Sequence, residues 1–315
     1  MELTKLQNGS DIRGIAITTE DKMKNLGTDQ VRLIAQGILN WLTDKGIEHP
    51  FKIGIGHDSR LTGPELKTAM IDVFTAAGCE VLDFGLATTP ALFMATQFEE
   101  FACDAGIMLT ASHLPFYFNG IKIFSQAGGA EKSDIAFILA HTEAAEKAAG
   151  NVKSADLLSR YADDLVEKIQ RGSDSDRPLE GLKIVVDAGN GAGGYFADKV
   201  LAVLGADTTG SQFLEPDGHF PNHIPNPDNK EAMASIKQAV LDNQADLGVI
   251  FDTDVDRSAI VSKDGQMINR NNLIAVLAAI VLQEHPGSTI VTNSPTSDHL
   301  KAFIEEKGGQ QYRYI

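Results

Sequence analysis

The sequence predicts an α/β protein assembled from repeated strand–helix modules, with mixed and largely parallel sheet. Two observations carry this. Short β-branched, apolar runs alternate along the chain with segments of helical spacing, and the alternation restarts twice after polar breaks, giving three similar units. The runs are also apolar at almost every position, as expected of parallel strands covered by helices on both faces.

In the first unit Phe51-Lys52-Ile53-Gly54-Ile55-Gly56 reads as a strand, and residues 64–77 carry helical spacing that stops at Gly78. Residues 80–84 form the next strand, a helix starts near Pro90, and residues 105–109 are a third strand. A polar stretch, 131–171, reads as helical and ends in the turn-rich Gly172-Ser173-Asp174-Ser175-Asp176-Arg177-Pro178. The second unit has strands at 183–187 and 247–251 and a helix at 195–204. Between them lies Glu215-Pro216-Asp217-Gly218-His219-Phe220-Pro221-Asn222-His223-Ile224-Pro225-Asn226-Pro227, whose four prolines exclude helix and central strand. In the third unit the apolar run 273–282 reads as a buried helix, 288–292 as a strand, 297–307 as a helix, and 311–315 as the start of another strand. The expected divisions are 1–152, 153–256 and 257–315, with the third module incomplete. A chain stopping in a half-built sheet reads as a fragment.

The 315 residues are 43% hydrophobic and 22% charged, a composition that supports a buried core. A net charge of −16 argues against nucleic acid and anionic membrane as partners, and an anionic substrate then needs a local basic cleft. Cys79 and Cys103 match no metal-binding spacing and read as buried thiols in a reducing compartment. The N-terminus lacks the apolar core of a signal peptide, and 273–282 is too short to span a bilayer, so the expected location is the cytoplasm.

Two segments carry chemistry. Asp252-Thr253-Asp254-Val255-Asp256-Arg257 follows an apolar strand, at the edge where α/β proteins bind ligands. In an extended segment the alternating aspartates share one face. Three adjacent carboxylates repel unless neutralised, and an oxygen-only donor set suits Mg²⁺. Arg257 reads as a phosphate clamp. An EF-hand fails, since Arg257 and Lys263 stand where glycine and glutamate are required. A dehalogenase-type phosphatase with Asp252 as nucleophile matches in part.

The second segment is Thr110-Ala111-Ser112-His113-Leu114-Pro115, followed by Asn119-Gly120-Ile121-Lys122. A serine in a loop after a strand ordinarily caps a turn. Here His113 adjoins it, Pro115 and Gly120 are expected to shape the loop, and Lys122 falls on a strand pointing back at the serine. A lysine among cations would have a depressed pKa and serve as acid or base. A competing reading comes from Gly189-Asn190-Gly191-Ala192-Gly193-Gly194, which satisfies a dinucleotide-binding fingerprint, with Asp207 near the ribose position. His219 and His223 lack the spacing of a zinc site.

Together these segments resemble the α-D-phosphohexomutases, the phosphoglucomutase and phosphomannomutase superfamily. The serine loop is similar to its phosphoserine signature and the aspartate loop to its metal site. Asp11-Ile12-Arg13-Gly14, the turn Gly56-His57-Asp58-Ser59-Arg60 and the proline-rich connection resemble further family motifs in family order. The resemblance implies a phosphorylated Ser112, which with Asp252, Asp254 and Asp256 holds Mg²⁺. It implies Arg13, His113 and Lys122 as catalytic residues and Arg257, Arg60 and Asn119 as substrate- or phosphate-binding ones. The implied reaction moves phosphate between the 1- and 6-positions of a hexose phosphate, glucose or mannose, through glucose 1,6-bisphosphate or its mannose equivalent. Leu114 stands where the family often has asparagine, a subfamily variation of little catalytic consequence; the family's third-domain sugar-recognition loop and fourth domain are not represented, so the isolated chain is expected to turn over weakly or not at all. Alternatives from other classes are a phosphatase and a non-catalytic sugar-phosphate binder.

Overall fold

The computed structural model describes residues 2–293 and 295–314; the expected strand end at Ile315 lies outside them. The first unit is built on one sheet. Its strands are β1 (Gln7–Asn8), β2 (Asp11–Ile15), β3 (Lys52–His57), β4 (Glu80–Leu86), β5 (Ala105–Leu109), β6 (Phe118–Ser125), β7 (Gly128–Gly129) and β8 (Asn151–Ser154). The order is β1-β2-β6-β5-β3-β4-β8, with β7 paired to β6. The pairs from β5 through β3 and β4 to β8 are parallel, and those from β5 through β6 and β2 to β1 are antiparallel.

Helices α1 (Thr28–Asp44), α2 (Gly63–Ala76) and α4 (Lys132–Ala140) cover one face; α3 (Thr89–Met94) and α5 (Leu157–Ser173) cover the other. Val31, Ile34, Ile38 and Leu42 of α1 fall at three- and four-residue spacing and are fully buried, as a core-facing stripe requires. Along β4, Val81 packs into one layer and Leu82 and Phe84 into the other, so the near-continuous apolar runs follow from burial on both faces.

The second unit is a three-stranded sheet, β11-β10-β9, with β9 (Ile184–Asp187) parallel to β10 (Leu247–Phe251) and β11 (Ser258–Ser262) antiparallel to it. Helix α6 (Lys230–Asp242) packs on one face, and the expected helix at 195–204 appears as a π-helical turn, Ala197–Leu201, on the other. The third unit holds α7 (Arg270–Glu284), β12 (Thr289–Asn293), α8 (Asp298–Glu306) and β13 (Gln310–Tyr314), with β12 and β13 parallel.

Several expectations are corrected. The stretch 131–171 is two helices separated by β8, which pairs with β4 at the sheet edge. All four β8 residues are exposed, so no apolar alternation marks them. A division at 152/153 cuts β8, and one at 256/257 separates β11 from its partner β10. The run 273–282 is helical as expected, but Val276, Leu277 and Ile280 are exposed, since the two-stranded β12–β13 pair is too narrow to cover it. Among the described residues no helix is long and apolar enough to cross a membrane.

Candidate active site

Ser112 and the aspartate loop come from different units and meet at one cleft. Ser112 follows β5 and is nearly fully buried. Its φ of +53° lies in the left-handed region, which costs a non-glycine residue energy and needs support from its surroundings. The Thr110 hydroxyl accepts the Ser112 N–H at 2.8 Å.

Arg60 supplies the rest of that support. It is 1% exposed and its guanidinium donates to the carbonyls of Ser112 (2.5 Å), Leu114 (2.6 Å), Pro115 (2.8 Å) and Phe118 (3.0 Å). Its counter-ion is Asp58, 3.3 Å away and fully buried. Phe220 of the proline-rich connection lies over the guanidinium, 5.4 Å from ring centre to Cζ. Gly218 packs so closely on the Ser59–Leu61 backbone that a Cβ there would lie 2.5 Å from the Ser59 carbonyl. The expected phosphate-binding role of Arg60 is therefore corrected: its donors hold the serine loop from behind. Asn119, expected to bind substrate, is also fully buried; it donates to Thr62 Oγ1 at 2.9 Å and accepts from the Gly120 N–H. Gly120 sits inside β6 rather than in the loop.

The aspartates converge in another way than expected. The 252–257 segment is the tight turn joining β10 to β11, closed by the Asp252 N–H donating to the Arg257 carbonyl at 3.1 Å. Val255 has φ +65°. The turn, not strand alternation, brings one oxygen each of Asp252, Asp254 and Asp256 within 4.8 Å of one another.

Around this trio the contacts cross between units. The Ser112 hydroxyl donates to Asp252 Oδ2 at 2.9 Å. Arg257 donates to Ser112 Oγ at 3.0 Å and to Asp252 Oδ2 through Nη2 and Nε at 2.8 and 3.0 Å. Lys122, paired with Met108 across β5 and β6, donates to Asp254 Oδ2 at 2.9 Å and Asp256 Oδ2 at 2.5 Å. His113 Nδ1 is 3.3 Å from Ser112 Oγ. Arg13, on β2, pairs with Asp11 at 2.8 Å. Arg13, His113, Lys122 and Arg257 line a cleft of about 500 Å³ with Ser112 and Asp256. That is the local basic cleft an anionic ligand needs on so acidic a chain.

Burial, then the neighbouring Asp254 and Asp256, push the Asp252 carboxyl up to about 7 despite Arg257. Burial also opposes charge on Asp254, but Lys122 and Thr89 overcome it and hold that carboxyl below its ordinary value. Burial disfavours the Lys122 ammonium, yet Asp254 and Asp256 raise its pKa, contrary to the expected depression by cations. His113 is lowered by burial and by Arg257 and Arg13.

The residues fit a divalent cation. The donors are all oxygens, and among the described residues Asp254 Oδ1 is buried without a hydrogen-bond partner, a state whose cost a cation would relieve. The pH dependence follows. The Asp58 carboxyl is raised to about 6, chiefly by burial, and Asp252 to about 7. Both folded values lie above the unfolded ones, so their stabilising contribution is complete below about pH 4 and is lost as pH rises through those values. The urea midpoint of the EDTA-treated chain is expected to fall between pH 5.5 and 8, with Asp252→Asn removing most of the upper part of the fall. A midpoint rising over that range would contradict the assignment.

The glycine run does structural work. A Cβ on Gly191 would lie 2.7 Å from the Thr253 carbonyl, and one on Gly194 2.0 Å from the Leu214 carbonyl. The Ala192 N–H donates to Thr253 O at 2.9 Å, so this turn supports the aspartate loop and is packed where a pyrophosphate would have to approach. Asp207 is exposed and bridged to Lys183. NAD⁺ and NADP⁺ are expected to leave the melting temperature unchanged; a saturable rise in a thermal-shift titration would revive that reading. Among the described residues neither histidine of the connection belongs to a cluster of three possible metal ligands: His219 pairs with Asp217, and buried His223 lies 3.0 Å from each carboxylate oxygen of buried Asp187. The His223–Asp187 pair, and the contact of Thr89 with Asp254, had no sequence signal, because the partners are far apart in the chain.

A buried serine hydrogen-bonded to a carboxylate trio, beside four cationic side chains on one cleft, is an arrangement able to support metal-assisted phosphoryl transfer. Comparison with known proteins gives the family. Residues 4–149 match the family model for phosphoglucomutase/phosphomannomutase alpha/beta/alpha domain I, and residues 159–265 the model for domain II. The chain belongs to the phosphoglucomutase/phosphomannomutase family of phosphohexomutases. It is 34% identical to a phosphoglucomutase of Neisseria gonorrhoeae over 304 residues, covering 95% of this chain and 62% of that one. It is also 34% identical to a phosphomannomutase/phosphoglucomutase of Pseudomonas putida over 261 residues, 82% of this chain and 54% of that one. The solved structure of a family protein from Burkholderia thailandensis superposes with a TM-score of 0.84 at 28% identity, over all of this chain and 67% of that one. The chain thus spans less than two thirds of the length of these curated relatives.

Proposed function

We propose that this chain carries the phosphoryl-transfer half of a phosphohexomutase that interconverts hexose 1- and 6-phosphates, glucose or mannose, through a hexose 1,6-bisphosphate. The observation that carries the reading is the meeting of Ser112 with Asp252 at 2.9 Å and Arg257 at 3.0 Å, across two units. The relatives named above supply the substrate class.

On this reading phosphorylated Ser112 is the resting state. A sugar hydroxyl attacks its phosphorus, the P–Oγ bond breaks, and the proton lost by the sugar hydroxyl is balanced by one gained at Oγ. The bisphosphate turns over and returns its other phosphoryl group to Ser112 by the reverse chemistry. Such transfer depends on alignment and on neutralising the moving charge. Arg257 and His113 orient the serine oxygen. Arg13 and Lys122 place positive charge along the cleft, and Asp254 and Asp256 hold Lys122 as the ammonium, a fixed positive charge beside the transferring group. Asp252, Asp254 and Asp256 would hold a divalent cation, Mg²⁺ by their all-oxygen chemistry, which would neutralise phosphoryl oxygens when bound. The buried, free cysteines Cys79 and Cys103 are compatible with a cytoplasmic location.

The test is phosphopeptide mass spectrometry before and after incubation with glucose 1,6-bisphosphate and Mg²⁺. An acid-stable phosphate on Ser112 is expected. A labile acyl phosphate on Asp252 would instead support a dehalogenase-type phosphatase, and no phosphate on either would support a non-catalytic binder.

A further inference from the structure

The Asp254 carboxylate is unevenly used. Its Oδ2 accepts the Thr89 hydroxyl at 2.5 Å and the Lys122 ammonium at 2.9 Å. Its Oδ1 is buried and, among the described residues, has no partner. A carboxylate oxygen offers about two acceptor directions, so these two donors fill Oδ2 and leave Oδ1 as the atom able to face a cation. Thr89 belongs to the first unit, Asp254 to the second, and both are buried. The Thr89 N–H also donates to the Asp254 carbonyl at 2.9 Å, so backbone and side chain of one threonine grip both ends of one aspartate.

We propose that Thr89 is the positioning residue of the metal site, its hydroxyl fixing the Asp254 carboxylate so that Oδ1 is presented to the cation. The proposal rests on the divalent-cation reading above. Lys122 alone does not fix the rotation, because its flexible ammonium also serves Asp256 and can follow either oxygen. The hydroxyl is short, sits on an ordered helix start and has one acceptor in reach in this site. A consequence is that cation affinity depends on the first unit through Thr89 as well as through Ser112.

Thr89→Val keeps the shape of the side chain and the backbone bond to Asp254 while removing the O–H. Thr89→Ser keeps the O–H. Groups that orient a metal ligand typically change affinity by about 10- to 100-fold when removed. Titration of the purified chain with Mn²⁺, read by electron paramagnetic resonance and by Mg²⁺ competition, is expected to show that loss for the valine variant and recovery for the serine variant, at little-changed melting temperatures. Equal Mn²⁺ affinity of the unsubstituted chain and the valine variant would overturn the proposal while leaving the metal site standing. No Mn²⁺ binding by the unsubstituted chain would overturn both. If the valine variant does not fold, Thr89→Ala against Thr89→Ser carries the same comparison.

Discussion

Ser112→Ala is expected to abolish phosphoryl transfer from glucose 1,6-bisphosphate to the chain and, in a protein that completes the site, to lower kcat by at least about a thousandfold. The oxygen that carries the phosphoryl group is lost, and no neighbour can replace it. His113 is the nearest nucleophilic side chain, but its nitrogen approaches Ser112 Oγ rather than the aspartate trio. Folding should survive, because the serine side chain makes polar contacts at a cleft wall and the loop is held through its backbone. A coupled glucose-6-phosphate assay together with a urea melt checks both halves. Substantial turnover by a folded alanine variant would remove the phosphoserine mechanism.

Arg60→Ala should be the most damaging change outside the aspartates. It strips four loop carbonyls of their donor and leaves Asp58, fully buried, without its counter-ion. Breaking a buried ion pair from one side typically costs about 3–5 kcal/mol, and a lost anchor for the left-handed Ser112 adds to it. A urea denaturation series should show that drop, with Arg60→Lys recovering only part, since an ammonium cannot span the carbonyls that the planar guanidinium fork reaches. In Asp58→Asn the buried Arg60 guanidinium loses its counter-ion but keeps its four carbonyl acceptors, so the penalty should be smaller than in Arg60→Ala. A loss below about 1 kcal/mol for Arg60→Ala would mean that the loop stands on its own.

The motifs were legible because their chemistry is local. Ser112, His113 and Lys122 lie within one strand–loop–strand passage, and Asp252 to Arg257 within one turn. Strands largely buried on both faces, β3, β4, β5, β9 and β10, announced themselves through near-continuous apolar runs. Elements without that signal were missed or misread. β8 is exposed throughout, and β2 alternates over too few residues to stand out. Roles were less legible than membership of the site. Arg60 and Asn119 share the motif region, yet burial turns both into scaffold. Lys122 was expected to stand among cations, but in space two carboxylates dominate it.

The sequence by itself determined the α/β class, the family, the serine and the three carboxylates, because hydrophobic period and reactive side chains are properties of short segments. Only the tertiary structure decided which charges face the cleft and which are buried beneath it. It set Thr89 on Asp254, Arg60 on the serine loop and His223 on Asp187, pairs separated by 165, 52 and 36 residues. The strength and even the sign of an electrostatic effect depend on distance and burial, and neither is written in the chain until it folds.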